Sequence, residues 1–238
     1  MAEGPLQKSI HPLPGARERL LSVAGELFAK HGRDGLSVRQ ITAAAAVNLA
    51  AVNYHFGSKD GLFYEVCLEQ VRAMNRARLE LLGQVVGAAK PGAPTVEQVL
   101  DTYVRPMTQL LESADQTGVL MTRIIMNELK DAGTPFARLM RDEVQPFIAQ
   151  FTRVLRCALQ ADPVLGPTME KLGEKSLEAI AWAVLFNTGM MLHTTMCVDK
   201  VTLFFPDVKT VSSAEEILQR MVTYCAAGLR ALVAAAAK

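Results

Sequence analysis

Cysteine is scarce in this chain, which has four cysteines in 238 residues. The four are widely separated and form no Cys-x-x-Cys pair, so the sequence suggests neither a zinc site nor a disulfide framework. Isolated thiols of this kind are usually buried in a protein of a reducing compartment. We therefore predict a cytoplasmic protein with four buried free thiols, at Cys67, Cys157, Cys197 and Cys225.

Aromatic residues make up only 6% of the chain, and neither sign of charge is in excess, with 25 Lys and Arg against 24 Asp and Glu. This balance gives no electrostatic indication of a nucleic-acid partner. Residues 1–60 are only slightly basic, with seven basic and five acidic side chains. Abundant Ala, Leu, Met and Val favour packed helices, and strand-like alternation is confined to Val201–Phe205, which is too short to make a sheet.

A secretory signal and a membrane span are also missing from the pattern. The first fourteen residues contain glycine and proline but no apolar core of the signal-peptide type. The most apolar long stretch, Leu177–Met196, includes Glu178, Asn187 and His193. Such polar groups favour a buried helix over a transmembrane one, so we expect no membrane partner.

Sequence motifs of the common enzyme classes are absent as well. The chain has no G-x-G-x-x-G, no G-x-x-x-x-G-K-[ST], no G-x-S-x-G and no H-E-x-x-H. His193 and Cys197 are spaced i and i+4 and could share a metal, but two ligands alone make a poor site. We predict no catalytic residue, no cofactor and no metal.

What the chain does contain is a compact pattern of two short helices between residues 37 and 59. Ser37 and Gln40 have the spacing of a capping box, which predicts the start of the first helix. Asn48 is a good N-cap for a second helix over Leu49–His55. Gly57 then ends this helix, and Ser58 caps a long one. Two short helices joined by a tight turn predict a helix-turn-helix whose second helix can enter the major groove.

The second of these helices is polar on one side. Leu49, Val52 and Phe56 are the apolar residues available to hold it against the protein. Asparagine can pair with an adenine edge through two hydrogen bonds, and tyrosine, histidine and lysine suit phosphate oxygens. The predicted DNA-binding residues are Ser37, Arg39, Gln40, Asn48, Leu49, Ala51, Asn53, Tyr54, His55 and Lys59.

The segment from about residue 16 to residue 65 resembles the TetR family of transcriptional regulators. The matching positions are Ala24, Leu27, Phe28, Gly32, Leu36-Ser37-Val38, Ile41, Ala45-Ala46-Val47, Tyr54-His55-Phe56-Gly57-Ser58-Lys59 and Leu62. The string VNLAAVNYHFGSK at 47–59 is most similar to the fatty-acid-responsive branch. Ala46 departs from the family pattern, which usually has glycine in this turn. The resemblance implies a homodimeric regulator, commonly a repressor that a lipophilic small molecule releases from a palindromic operator.

The remaining pattern is helical, so the predicted fold class is all-α. A flexible tail over residues 1–15 precedes a three-helix DNA-binding domain over 16–60 and a helical effector-binding and dimerisation domain over 61–238. We predict a distortion at Pro146, a kink at Pro106 and a break over residues 162–168. The predicted helices cover 16–31, 58–86, 95–112, 117–131, 134–161, 177–196 and 213 to the end.

The last two helices carry small residues that allow close helix approach, and Ser213 with Glu216 predicts a capping box at the start of the final helix. Such a pair can assemble with its copy into a four-helix bundle, which would place two DNA-binding domains on a palindromic site. The alternative is that these faces pack only within one monomer.

Methionines are frequent beyond residue 100, and their adaptable side chains can line a ligand pocket. We hypothesise a mostly apolar effector cavity in which a few polar groups fix a head group. The candidate effector-binding residues are Arg123, Met126, Asn127, Trp182, Asn187 and His193. Plain core packing is an equal alternative for any one methionine. At the level of function, the alternatives are an effector-independent DNA-binding activator, or a helical enzyme or carrier with an attached helix-turn-helix.

Overall fold

A computed structural model describes residues 15–112, 117–128, 135–197, 200–207 and 213–237. These residues form helices and no strand, which confirms the predicted all-α class. The helices are α1 (Ala16–His31), α2 (Val38–Ala44), α3 (Ala50–Phe56), α4 (Lys59–Ala88), α5 (Val96–Gln109), α6 (Thr117–Glu128), α7 (Pro135–Leu139), α8 (Gln145–Ala161), α9 (Gly166–Leu172), α10 (Ser176–Cys197), α11 (Val201–Phe204) and α12 (Ala214–Ala236).

The chain divides into two compact units, one ending at Val66 and one beginning at Cys67, so the division falls within α4. The predicted domain boundary after residue 60 stays a prediction. The predicted tail of residues 1–15 lies almost wholly outside the described residues.

The amino-terminal unit packs α1, α2, α3 and the start of α4 around a small apolar core. Phe28 of α1 and Phe63 of α4 are both buried and meet edge to face, with ring centroids 5.0 Å apart. Ile41 and Val52 bring α2 and α3 to the same core, and both are fully buried. Because the apolar residues of these short helices point inward, their polar residues are left on the outside.

Side-chain hydrogen bonds cap the first turns of α2, α5 and α12. Ser37 and Gln40 bond reciprocally, with Ser37 N donating to Gln40 Oε1 at 2.9 Å and Gln40 N donating to Ser37 Oγ at 3.3 Å. This confirms the predicted box at the start of α2. Thr95 and Gln98 form the same reciprocal capping box at the start of α5. At α12 only half of the box is present, because Ser213 Oγ accepts from Glu216 N while the Glu216 side chain returns no bond.

The carboxy-terminal unit is built on α5, α8, α10 and α12. Its core includes a cluster of buried aromatic rings in which Tyr103 lies 5.9 Å from Phe147 and 5.0 Å from Phe151. Arg230 of α12 pairs with Glu97 of α5 at 2.5 Å and with Asp162 at 3.3 Å, which ties the last helix to two others near its end.

Proline marks one irregularity in this unit, and the kink predicted at Pro106 stays a prediction. The distortion predicted at Pro146 is confirmed as a π-helical segment over Met140–Val144, which ends two residues before the proline. Pro146 supplies no N–H, and its ring clashes with the carbonyl four residues earlier, so the backbone widens there. α5 continues through Pro106 to Gln109 and is followed by a short 3₁₀ turn, Leu110–Glu112.

Three expectations from the sequence differ from the structure, and a fourth is not tested. The predicted break at residues 162–168 is shorter, because α9 begins at Gly166 with Pro167 in its first turn, where a proline is compatible with a helix. The strand-like run from Val201 is the short helix α11. Cys157 is exposed and Cys197 half-buried, so only two of the four free thiols are fully buried. The predicted end of α6 at Asp131 lies outside the described residues.

Candidate nucleic-acid interface and effector cavity

The turn between α2 and α3 is a Schellman motif, a hydrogen-bonded helix end that requires a left-handed residue. Val47 N donates to Thr42 O at 3.0 Å, and Ala46 N donates to Ala43 O at 3.2 Å. Ala46 has φ of 51°, so it occupies the position at which glycine is normally favoured. The turn therefore keeps its left-handed geometry with alanine in place of the glycine usual in the family that the segment resembles.

Helix α3 follows this turn, and its polar side faces outward. Val52 is fully buried and Phe56 is half-buried, whereas Asn53, Tyr54 and His55 are exposed, Tyr54 to 85%. The guanidinium carbon of Arg17 lies 5.6 Å from the centroid of the Phe56 ring. Arg17 also forms an ion pair with Glu65 at 2.7 Å. These contacts fix the side of α3 that faces the protein.

Leu49 does not hold this helix down, contrary to the prediction. It is 46% exposed, because it lies in the turn before α3 begins at Ala50. Its predicted place among the DNA-binding residues is compatible with this exposure. Ser37, Arg39 and Gln40 are also exposed, and Ala51 and Lys59 are half-buried.

The two asparagines of this face differ in what their side chains already bind. Asn48 Oδ1 accepts a hydrogen bond from Ala50 N at 2.9 Å, as expected for a residue that caps α3. The Asn53 side chain makes no hydrogen bond within the described part of the chain. A bidentate contact with adenine uses both the oxygen and the nitrogen of the amide. Asn53 therefore has its whole amide available, and Asn48 has part of its acceptor capacity occupied.

Lys59 also has partners within the protein. Its ammonium nitrogen donates to Arg33 O at 2.9 Å and to Leu36 O at 3.0 Å, both in the segment between α1 and α2. These bonds fasten the start of α4 to that segment. One of the three ammonium donors remains, so the predicted phosphate contact stays a prediction beside a structural role.

A cavity of about 110 Å³ lies within the carboxy-terminal unit. Its walls come from α4, α5, α6, the π-helical segment and α10. Five of the lining residues are methionines: Met74, Met107, Met126, Met140 and Met191. Polar groups at the wall include Asn75, Arg78, Tyr103, Thr122 and Thr188. The cavity is thus mostly apolar with a few polar groups, the composition expected of a small-molecule site.

The six predicted effector residues are only partly brought together. Met126 lines the cavity, whereas Asn187 is buried outside its lining, and Trp182 and His193 are exposed. The side chains of Arg123 and Asn127 lie outside the described residues. The effector-binding assignment stays a prediction.

Sequence reasoning missed Arg78, which lies at the cavity wall. A signal was present, since Met74, Arg78 and Leu82 follow one another at intervals of four on α4. Residues at that spacing share a helical face, so an arginine in the series was a candidate for burial among apolar side chains. The described residues hold no group of three or more His, Cys, Asp or Glu side chains that could bind a metal, and none of the described helices is long and apolar enough to cross a membrane.

Known bacterial regulatory proteins are similar to parts of this chain. The model of a family described as "Bacterial regulatory proteins, tetR family" matches residues 20–66. The HTH-type transcriptional dual regulator CecR of Shigella flexneri is 24% identical over 144 residues, 59% of this chain and 63% of CecR. The HTH-type transcriptional repressor AcnR of Corynebacterium glutamicum is 34% identical over 59 residues, 25% of this chain and 31% of AcnR. The chain thus covers less than two thirds of either relative.

Among solved structures, the crystal structure of a TetR-family transcriptional regulator from Streptomyces coelicolor is similar over nearly the whole length. The TM-score is 0.57 at 19% identity, covering 94% of this chain and 96% of that one. At this identity the likeness shows the shared fold and leaves the ligand and the operator open.

Proposed function

The chain belongs to the TetR family of bacterial regulatory proteins, and from this we propose that it regulates transcription by binding an operator in double-stranded DNA. The observation that carries the proposal is the outward polar side of α3, with Asn53, Tyr54 and His55 exposed over a buried Val52. A two-turn helix supported in this way suits insertion into the major groove.

In the proposed complex, Asn53 reads a base and the residues around it position the helix. Its free amide suits an adenine edge, where a bidentate pair discriminates by about 1–3 kcal/mol against a wrong base. Arg39, Tyr54 and His55 are exposed and suit phosphate oxygens, and Ser37, Gln40, Asn48, Leu49, Ala51 and Lys59 complete the predicted contact set. Phosphate contacts set the register but carry no sequence information.

We propose that the regulator is a homodimer formed through α10 and α12. Large apolar side chains of both helices are exposed on the monomer, including Trp182, Leu185 and Phe186 on α10 and Tyr224 on α12. The rings of Trp182 and Phe186 lie 5.6 Å apart and, with Leu232, line an open groove between the two helices. An apolar surface of this kind on two neighbouring helices suits a second copy, and two-fold symmetry suits a palindromic operator.

The proposed mode of action is repression released by a small molecule in the carboxy-terminal cavity. AcnR is named a repressor and CecR a dual regulator, so the relatives include both signs of regulation. An effector lowers operator affinity only if it binds better to the dimer whose two α3 helices are wrongly spaced for the DNA. The Met-lined cavity supports the presence of such a site.

Selection of binding sequences from a random duplex pool with the full chain, followed by footprinting, tests the DNA proposal. We expect an inverted repeat whose half-sites are about 10 base pairs apart or a multiple of that spacing. Recovery of no preferred sequence would refute operator recognition. The same operator then allows effector candidates to be screened by their effect on DNA binding.

A further inference from the structure

The side chain of Arg78 is a buried positive charge at the wall of the carboxy-terminal cavity. The residue is only 8% exposed, although arginine is almost always at the surface unless it is paired. Its Nε donates to Tyr103 O at 3.1 Å, and one terminal nitrogen lies 3.9 Å from Met191 Sδ, a weak acceptor. The other terminal nitrogen has no hydrogen-bond partner among the described residues.

No carboxylate of the described residues forms an ion pair with Arg78. The guanidinium instead lies over the rings of Tyr103 and Phe147, with its carbon 4.5 and 5.5 Å from the two centroids. Aromatic faces stabilise a cation only in part, and burial lowers the pKa of Arg78 because the charged form is desolvated. A buried cation without an anionic partner is costly, and an anion bound in the cavity beside Arg78 would offset that cost.

The surroundings of Arg78 restrict the kind of anion. Met74, Met107, Met126 and Met140 make the rest of the wall mostly apolar. The volume of about 110 Å³ is small beside the several hundred Å³ of common ligand pockets, although methionine side chains can adjust. Thr188 and Tyr103, whose hydroxyl oxygens lie 2.6 Å apart, add polar groups at the same wall.

From this arrangement we propose that the cavity binds a small organic carboxylate with an apolar body, and that Arg78 holds the carboxylate. This inference rests on the proposed function, because it names the chemical class of the effector. A planar guanidinium matches a carboxylate through paired N–H···O bonds, and the methionines accept the aromatic or short aliphatic body. A neutral analogue of equal shape leaves the buried charge without its partner and should bind more weakly.

The test compares acids with their amides by calorimetric titration of the full chain. The probes are benzoate against benzamide and hexanoate against hexanamide. We expect at least one acid to bind about 10-fold or more tightly than its amide, the size of effect expected for a charge-assisted hydrogen bond. Equal binding of acid and amide, or no binding of either acid, would overturn the proposal.

The variant Arg78→Met separates ligand binding from a purely structural role. It keeps a long side chain that suits a Met-lined cavity, and replacing a buried charge by an apolar side chain is often neutral or stabilising. We expect it to melt at or above the wild-type temperature and to lose the preference for the acid. Arg76→Met, at an exposed position on the same helix, is the matched control and should keep the preference. A preference that persists in Arg78→Met would refute the assignment.

Operator binding measured on the same preparations distinguishes this inference from the proposed function. Operator binding without any acid preference would overturn the carboxylate site and leave the DNA proposal intact. Acid preference lost in Arg78→Met, in a chain that selects no operator, would support the site and overturn the proposed function. If Arg78→Met does not fold, the comparison of acid and amide binding by the wild-type chain still tests the carboxylate proposal.

Discussion

Replacing Ala46 by glycine should stabilise the protein, because this residue has the left-handed conformation that glycine adopts without strain. Ala46 has φ of 51° at the end of α2, and its side chain is exposed. Removing its Cβ therefore relieves backbone strain and removes no buried contact. The hydrogen bonds of the turn use backbone atoms only, so the substitution leaves them in place.

The size of the effect follows from two opposing terms. The left-handed conformation costs an L-residue about 1–2 kcal/mol. Glycine makes the unfolded chain more flexible, which destabilises the folded state by about 0.4–1 kcal/mol. The two terms leave a net gain in the free energy of unfolding of about 0–1.6 kcal/mol for Ala46→Gly, centred on about 0.8 kcal/mol. For a protein of this size the central value corresponds to a rise in Tm of about 2–3 °C.

Ala43→Gly is the matched control, since Ala43 is an exposed residue inside the helix α2. There the same substitution should destabilise by about 0.8–1.0 kcal/mol, because glycine is a poor helix former. Urea denaturation followed by circular dichroism, together with calorimetry, measures both variants. Opposite signs support the reasoning. Equal destabilisation by the two substitutions would show that the turn does not hold Ala46 in the left-handed region.

Four further outcomes are expected. Asn53→Ala should weaken binding by about 1–3 kcal/mol at one operator position, measured with single-base operator variants. Lys59→Ala should lower Tm through loss of two charge-assisted bonds, each worth about 1.5–3 kcal/mol at most, and should weaken binding to all sequences alike. Phe186→Glu should give a monomer by light scattering, because it places a charge in the proposed interface. Stabilisation by the Glu97–Arg230 pair, about 1 kcal/mol or less, should disappear at acid pH.

The sign of the acid effect follows from the pKa of Glu97, which its hydrogen bond from Arg230 lowers. A lowered folded-state pKa stabilises the protein above the unfolded value of about 4.3, and the stabilisation is lost as the pH falls toward the folded value. Urea denaturation of wild type and Glu97→Gln between about pH 6 and about pH 3 should therefore converge at low pH. A difference that grows on acidification would refute this sign.

Two of the other three have a matched control variant, and the third has a contradicting outcome. Asn48→Ala should remove the cap on α3 and lower stability by about 1 kcal/mol, an effect that Asn53→Ala lacks. If both asparagine variants weakened all operators uniformly, neither would read a base. Val164→Glu changes an exposed apolar residue outside α10 and α12 and should remain dimeric. If Lys59→Ala leaves Tm unchanged, the structural role assigned to Lys59 is refuted. Any loss of DNA affinity would then be explained by a lost phosphate contact.

The helix ends illustrate what could be predicted from the sequence. Ser37 with Gln40, and Thr95 with Gln98, bond across three residues, so the local sequence contains both partners. Pro146 likewise distorts its own helix through its missing N–H and its ring. The polar side of α3 is another local property, because a single buried residue, Val52, sets the orientation of a two-turn helix.

The effector site was beyond local reasoning. α10 is apolar nearly all round, so its sequence could not tell which side faces a cavity and which faces outward. Trp182 proved to be exposed and Met191 to line the cavity, although both lie on that helix. The cavity wall joins residues from five separated segments, and their side-chain positions depend on how every helix is rotated against its neighbours.

The sequence by itself therefore determined the all-α class, the capped helix-turn-helix and the resemblance to the TetR family, since each depends on residues within a few positions of one another. Only the tertiary structure decided that Arg78 is buried with no carboxylate of the described residues paired to it, that Lys59 bonds to the α1–α2 segment and that the Asn53 amide bonds to none of the described residues. These features depend on distances between residues far apart in the chain, and the packing of the whole unit sets those distances.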